Sequence, residues 1–147
     1  MATSRQELGA FGERHIAQNC TCPRCKRSRT LVLLPPNFKC ADLICDFSGY
    51  LAQVKATRVK DVSVLPRTIL GAAWGPQKER MASGVYFPLF IVLVSETSNA
   101  IYYLSSDLEM PEMFKERTPL SSTARRAGRQ DFHYDLSDVH DRLVGLV

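Results

Sequence analysis

Three side chains on two neighbouring β-rich runs can hold a divalent cation beside a phosphate. Asp42 lies on "FKCADLIC", and Gln53 and Lys55 lie on the run that follows, "GYLAQVKATRV". Residues two apart on a strand project from one face, so Gln53 and Lys55 point together while Val54 points to the opposite, apolar side. Asp42, on the hairpin partner, can join them. A carboxylate and a main-chain carbonyl are hard oxygen donors of the kind magnesium takes, with water and substrate phosphate oxygens completing the shell. A lysine beside such an ion can orient or deprotonate an attacking water and offset charge on a scissile phosphate. The Gln53 amide coordinates weakly and cannot serve as a general base. The plainer alternative is that these alternating polar residues are a strand's solvated face.

Cysteine makes the second pattern. All five cysteines fall between residues 20 and 45. An odd, bunched set in a reducing compartment does not form a disulfide framework, which leaves metal binding or burial as small apolar side chains. The C-P-x-C spacing of Cys22 and Cys25, amid Arg24, Lys26, Arg27 and Arg29, suits one knuckle of a tetrahedral zinc site.

These residues need elements to position them. Ser4 followed by Glu7 is a capping-box pattern and predicts a helix from about residue 5 to Gln18. Leu8, Phe11, His15 and Ile16 form its apolar side, with Glu13 at the edge of that stripe. Gly9 and Ala17, a turn away, are the small residues expected to let another backbone approach Glu13. Residues 20 to 29 read as a cysteine- and arginine-rich loop, and "TLVLLP" as a short strand stopped by Pro35-Pro36. The two runs carrying Asp42 and Gln53 read as an antiparallel hairpin closed by "DFSG".

Beyond the hairpin, Pro66 to about Ser83 reads as helical, broken or kinked at Gly75-Pro76. "VYFPLFIVLV", residues 85 to 94, has the unbroken apolar character of a central strand covered on both faces, with Pro88 near its start or at an edge. "AIYYLSS" reads as the next strand, "DLEMPEMFKE" as a short interrupted helix, "DFHYDL" as a last strand and "DVHDRLVGLV" as a C-terminal helix. This order predicts a single α/β domain over residues 1–147, a mixed β-sheet flanked by helices.

Composition agrees with that. A chain of 147 residues, 45% of them hydrophobic, suits one core. The net charge of +4 is mild, but its distribution is uneven: cations gather at residues 24 to 29, 58 to 60 and 125 to 129, and acids at 107 to 116 and 131 to 141. Such unevenness favours one basic face, as a nucleic-acid partner would require. No apolar run reaches the ~18–20 residues of a membrane-spanning helix, and "MATSRQELGAFGER" lacks the apolar core of a signal peptide. The expectation is a cytoplasmic protein without a membrane partner.

On these residues the sequence resembles the PD-(D/E)XK nuclease superfamily, whose signature is an Asp near one strand and an acid-x-Lys on the next. "QVK" at 53 to 55 matches the Mrr-like variant in which Gln replaces the acid. "LGAFGERHIAQ" looks like the first helix of these nucleases, where a Gly-x-x-Gly-Glu segment brings a glutamate, here Glu13, toward the metal site. "CPRC" followed by "CADLICDFSGYLAQVKA" is similar to the zinc-containing catalytic domain of DpnI-like restriction endonucleases, where a C-P-x-C knuckle precedes A-D-x-x-C and the acid-x-Lys. "TARRAGRQDF", residues 123 to 132, looks like the T-A-R-R-A-G element near the end of that domain. The likeness covers most of the chain. It departs at Ser48, where the second knuckle would have a cysteine, and at Gln53, where the catalytic acid would stand. The length leaves no room for the winged-helix DNA-reading domain of the DpnI type, so methyl-adenine specificity is not carried over.

The resemblance implies a restriction-endonuclease-like fold with a zinc-binding element inserted at residues 20–48. It implies a magnesium-dependent (or manganese-dependent) DNA endonuclease that hydrolyses phosphodiester bonds. Asp42 and the Val54 carbonyl would bind the metal, Glu13 would support it or its water, Gln53 would complete the shell, and Lys55 would activate or orient the nucleophile. Structural zinc would take Cys22, Cys25 and Cys45, with Cys20 as the fourth ligand because it is in reach of the same loop. Cys40 is the alternative: it shares strand parity with Asp42 and faces away from Cys45 unless a bulge reverses it. Arg58, Lys60, Arg125, Arg126 and Arg129 would hold the DNA backbone, or form a solvated charge run. A homodimer would be needed to cut both strands at once. Two other classes stay open: a nuclease fold that has lost cleavage and serves as a nucleic-acid-binding or accessory module, and a zinc-stabilised protein-interaction domain.

Overall fold

The capping pattern places the first helix correctly. In the computed structural model, which describes residues 4–35, 41–74, 86–109, 113–116, 129–137, 139 and 143–146, α1 spans Ser4–Asn19. Nine strands follow: β1 (Leu31–Leu33), β2 (Leu43–Cys45), β3 (Leu51–Arg58), β4 (Thr68–Trp74), β5 (Leu89–Val94), β6 (Asn99–Leu104), β7 (Phe114–Glu116), β8 (Arg129–Asp135) and β9 (Val144–Gly145). A single 3-10 turn covers Ser106–Leu108. Six strands make a sheet of order β1-β2-β3-β5-β6-β9, and three make a second sheet, β4-β8-β7. β3 and β5 run parallel, whereas the other described pairs are antiparallel, so the main sheet is mixed.

β5 shows how the layers stack. Its "LFIVLV" is buried at every position but the last, because each face meets a different core. Leu89, Ile91 and Leu93 pack with Ile69 of β4 and Tyr134 of β8. Phe90 and Val92 pack instead with Ile16 of α1 and with Leu31, Leu43, Ala52 and Val54 of β1, β2 and β3. The order is therefore α1 with the cysteine loop, the main sheet, then the second sheet. Residues alternating along one strand serve two cores, which is why the run carries no polar alternation.

Three expected helices are not found. Thr68–Trp74, placed in a helix over 66 to 83, is β4, and it pairs with β8 along its whole length from Thr68↔Asp135 to Trp74↔Arg129. Its Ala-containing middle favours a helix only weakly, and a full ladder of hydrogen bonds outweighs that preference. Residues 75–85, with Gly75-Pro76, lie outside the described residues. Of "DLEMPEMFKE" the described residues include the end of a 3-10 turn, Glu109 in extended conformation and β7, while residues 110–112 lie outside the described residues. Val144–Gly145 is a short strand against Tyr102 and Tyr103 of β6. A segment of that length is marginal as a helix alone, and the free edge of β6 offers it a ladder. Among the described residues α1 is the one α-helix, and the second sheet covers the face that helices were expected to flank. None of the described helices is long and apolar enough to cross a membrane.

The close approach of α1 to the sheet is at Gly12, not Gly9. A Cβ on Gly12 would lie 2.9 Å from Ala56 Cβ and 3.5 Å from Val54 Cγ1, whereas one on Gly9 would meet nothing within 4 Å. A residue next to that contact is carried down onto β3, and that residue is Glu13.

Candidate functional site

The β2–β3 ladder ends at Leu43↔Ala52, and the chain beyond it is held by Asp42. The Asp42 N–H donates to the Ala52 carbonyl at 2.9 Å, its carbonyl accepts from the Leu34 N–H at 2.9 Å, and its Oδ2 accepts the Val54 N–H at 2.8 Å. A side chain thus continues the ladder where the partner backbone leaves off, and the carboxylate is fixed against the middle of β3.

Glu13 meets Asp42 there. Burial, the neighbouring Asp42 charge and a hydrogen bond between the two carboxyl groups push Glu13 up to about 7, while Lys55 and Arg14 pull the other way. Two carboxyl groups in contact resist double ionisation unless a cation lies between them. This pairing, beside the Lys55 charge, is the donor set a hard divalent ion fits. Glu13, Asp42 and the Val54 backbone are therefore brought together, with Lys55 close enough to act on them.

Gln53 does not sit on a wet face. It is 8% exposed, its N–H donates to the Pro88 carbonyl at 2.9 Å, and its Oε1 accepts the Tyr134 hydroxyl at 3.3 Å. Tyr134, from β8 in the second sheet, is buried, and burial followed by the charges of Glu109 and Asp42 raises its pKa. Glu109 is 8% exposed, its Oε2 has no hydrogen-bond partner among the described residues, and burial pushes it up to about 9. Sequence reasoning missed both residues. The only signal was that a buried tyrosine hydroxyl needs a partner, and it names no partner without the packing of the second sheet.

At the other end of β2, the sulfurs of Cys22, Cys25 and Cys45 lie within 4.8 Å of one another, a cluster that can bind a structural metal such as zinc. Cys25 Sγ and Cys45 Sγ are 3.7 Å apart. Burial pushes the Cys45 thiol up, but hydrogen bonds from the Ser48 and Thr30 side chains and from the Ser48 and Phe47 N–H groups outweigh it and hold Cys45 at about 6. Tethers join the two loops: Arg27 stacks over the Phe47 ring at 3.8 Å, and Arg24 over the Tyr50 ring at 5.1 Å.

Cys20 does not join this cluster. It is buried in the core beneath α1, and burial pushes its thiol up to about 11, the state of a small apolar side chain rather than a ligand. The reason is local: its N–H still closes the helix onto the Ile16 carbonyl at 2.9 Å, which turns it inward before the loop begins. Cys40 lies outside the described residues. His15 Nε2 donates to Asn99 Oδ1 at 2.9 Å and its ring stacks on Phe11, a packing role. Arg58 and Lys60 are exposed, but Arg58 pairs with Val94 while Gln53 pairs with Leu89, so Arg58 stands roughly 16 Å along the strand from Gln53. Arg125 and Arg126 lie outside the described residues, and of Arg129 only the backbone is described, at the start of β8.

Comparison with known proteins adds a family. No curated protein matches the chain. The family model for DpnI, described as the Dam-replacing family, matches residues 2–144, a span that takes in the Glu13–Asp42 pair and the Cys22, Cys25 and Cys45 cluster. The chain therefore belongs to the DpnI Dam-replacing family, and that membership points to a restriction-endonuclease-like nuclease.

Proposed function

We propose that the chain is a magnesium- or manganese-dependent DNA endonuclease of the PD-(D/E)XK kind, with an Mrr-like Gln53-x-Lys55 motif, that hydrolyses phosphodiester bonds. The observation that carries this reading is the Glu13–Asp42 pair, anchored on the Val54 N–H beside Lys55. Family membership supports DNA as the substrate.

Asp42, Glu13 and the Val54 carbonyl would hold the divalent ion. A cation there supplies charge neutralisation at the phosphate and acidifies water. The chain's own groups do the rest. The Val54 N–H fixes the direction of the Asp42 carboxylate, so this donor needs no reorganisation when substrate arrives. Glu13, pushed up to about 7, exchanges a proton near neutral pH and can take one from water at that position. Lys55 orients the attacking water or a phosphoryl oxygen through its ammonium donors. Gln53, whose amide oxygen accepts the Tyr134 hydroxyl, would complete the shell as a weak oxygen donor.

Arg58, Lys60, Arg125, Arg126 and Arg129 would bind the phosphate backbone, joined by the exposed Arg24, Lys26, Arg27 and Arg29 of the cysteine loop. Zinc at the cysteine cluster would be structural, holding residues 20–48 as one inserted element. A cytoplasmic homodimer would supply two sites for the two strands.

The test is cleavage of supercoiled plasmid and of methylated and unmethylated duplexes with magnesium or manganese. Wild type should cut, and Asp42→Ala and Lys55→Ala should each cut at least ~10²-fold more slowly, the scale of losing one electrostatic contact in a preorganised site. Equal cutting by wild type and Lys55→Ala would sink the enzyme reading. Gln53 in the acid's place favours one second reading, a nuclease fold that binds nucleic acid without cutting; binding that falls steeply with salt, in the absence of any cleavage, would select it.

A further inference from the structure

The loops from Cys22 and Cys45 close in the same way. Lys26 donates its N–H to the Cys22 carbonyl at 2.9 Å, and Gly49 donates its N–H to the Cys45 carbonyl at 2.8 Å. Both donors adopt the left-handed region, at φ 64° for Lys26 and φ 76° for Gly49. Lysine tolerates that conformation poorly, so the first loop holds it for a reason the second shares. Superposing the two turns by their donors puts Ser48 where Cys25 stands, the position after which each chain turns back.

We propose that Ser48 supplies the fourth ligand, through its hydroxyl, to a zinc ion held by Cys22, Cys25 and Cys45. The geometry is that of a tetrahedron seen through two opposite edges. A tetrahedral zinc ion with its usual bond lengths, ~2.3 Å to sulfur and ~2.0 Å to oxygen, separates two sulfurs by about 3.8 Å and a sulfur from an oxygen by about 3.5 Å. Cys25 Sγ and Cys45 Sγ are 3.7 Å apart, and Cys22 Sγ and Ser48 Oγ are 3.5 Å apart. These two edges share no atom and so name all four corners, and the three sulfurs lie within 4.8 Å of one another. The Ser48 N–H points to Cys45 Sγ at 3.3 Å, as a backbone donor to a thiolate, and the Tyr50 N–H holds Ser48 Oγ at 3.3 Å. Cys20 is outside the cluster, in the core.

An oxygen corner changes what the site does. Thiolates are the soft ligands zinc prefers at structural sites, and a serine hydroxyl is a harder, weaker donor. The ion is therefore held less tightly than by four thiolates, and its oxygen ligand exchanges with water or an incoming donor. This is a structural site that can be emptied.

The proposal rests on reading the cluster as a zinc site, and cobalt substitution in the full-length chain separates the two claims. Cobalt's thiolate charge-transfer absorption, per bound ion, counts sulfur ligands. Wild type should give the intensity of three thiolates. Ser48→Cys should give four and resist a competing chelator at least ~10-fold better; Ser48→Ala should keep three and release zinc at least ~10-fold more readily, the lower end of what even outer-shell changes cause. Cys20→Ser and Cys40→Ser should leave the spectrum unchanged. A four-thiolate wild type, reduced to three by either of those cysteine changes, overturns the Ser48 assignment and leaves the zinc site standing. So does a Ser48→Cys spectrum that stays at three. Wild type that binds neither cobalt nor zinc overturns both.

Discussion

The two ends of β2 surround their titratable groups in opposite ways, one suited on the proposed reading to a hard divalent ion and the other to zinc. At the Asp42 end, α1 docks through Gly12 and drives Glu13 against Asp42, so that Glu13 is pushed up to about 7. At the Cys45 end, N–H and hydroxyl donors gather on sulfur and hold Cys45 at about 6. Glu13 is raised and Cys45 lowered from their ordinary values, so acid and thiol draw together. Burial raises both groups; the difference lies in what surrounds them. The acid faces another acid, whereas Cys45, although beside the raised thiol of Cys25, gathers donors. A cation entering the first site must displace a proton and then relieves repulsion, whereas one entering the second meets a thiolate already favoured. On the proposed reading the first end suits an ion that comes and goes with substrate, the second a structural ion held by three thiolates and released more readily than from four.

If the two ends are independent, breaking one should spare the other. The largest effects test this. Asp42→Ala should abolish measurable cleavage while the purified chain retains its zinc, measured by elemental analysis; Cys25→Ser should do the reverse first, losing zinc before anything else is assayed. Loss of zinc from Asp42→Ala would show the ends to be one unit. Next in size, Gly12→Ala forces a methyl against Ala56 Cβ, which cannot swing aside, and should cost about 1–3 kcal/mol in chemical denaturation. It should also weaken magnesium-dependent cutting by lifting Glu13 away from Asp42, whereas Gly9→Ala should do neither.

A smaller effect isolates burial from acid pairing. Burial raises Glu109, so above its unfolded value it resists ionisation in the folded state. Its stabilising contribution is full at low pH and is lost as pH rises from about 4.5 toward 9. Glu109→Gln should therefore match wild type near pH 5 and exceed it by about 1–2 kcal/mol at pH 8. Unlike Glu13, this difference should not respond to magnesium.

Much of this was legible in local pattern. Ser4 with Glu7 starts α1, "DFSG" closes the hairpin, and the apolar run after Pro88 makes β5 the central strand, because each signal is carried by neighbours in sequence. What failed depends on distant partners. "TILGAAW" becomes a strand because β8 lies beside it, and residues 144–145 do because β6 has an open edge. The helix stripe identified Glu13 but put the close approach at Gly9, since which glycine touches the sheet depends on how α1 rotates when it docks. Tyr134 and Glu109 reach the Gln53 side only through the second sheet and the turn after β6. Ser48 was visible as a departure from the family pattern; its place opposite Cys22 required the matched turns.

The smallest effect bears most directly on what the acid end is for. Glu13 binds a proton more tightly when folded than its unfolded value of about 4.5 allows, so between about pH 4.5 and 7 the native state holds more protons than the unfolded one. Stability without a divalent ion should then fall as pH rises through that window and level off above it. The sidechain is half exposed, so solvent screening reduces the loss to about 1 kcal/mol. On the proposed reading magnesium binds the deprotonated pair, so its addition should flatten the slope by stabilising the native state at pH 8 more than at pH 5. Denaturation at those two pH values, with and without magnesium, gives four free energies and one difference of differences. Asp42→Asn should bring that difference close to zero, because it removes both the repulsion and the ion's partner. A magnesium effect of equal size at both pH values would mean that the paired carboxyl groups are held together by the fold alone, and the contrast between the two ends of β2 would then be one of packing, not of ion binding.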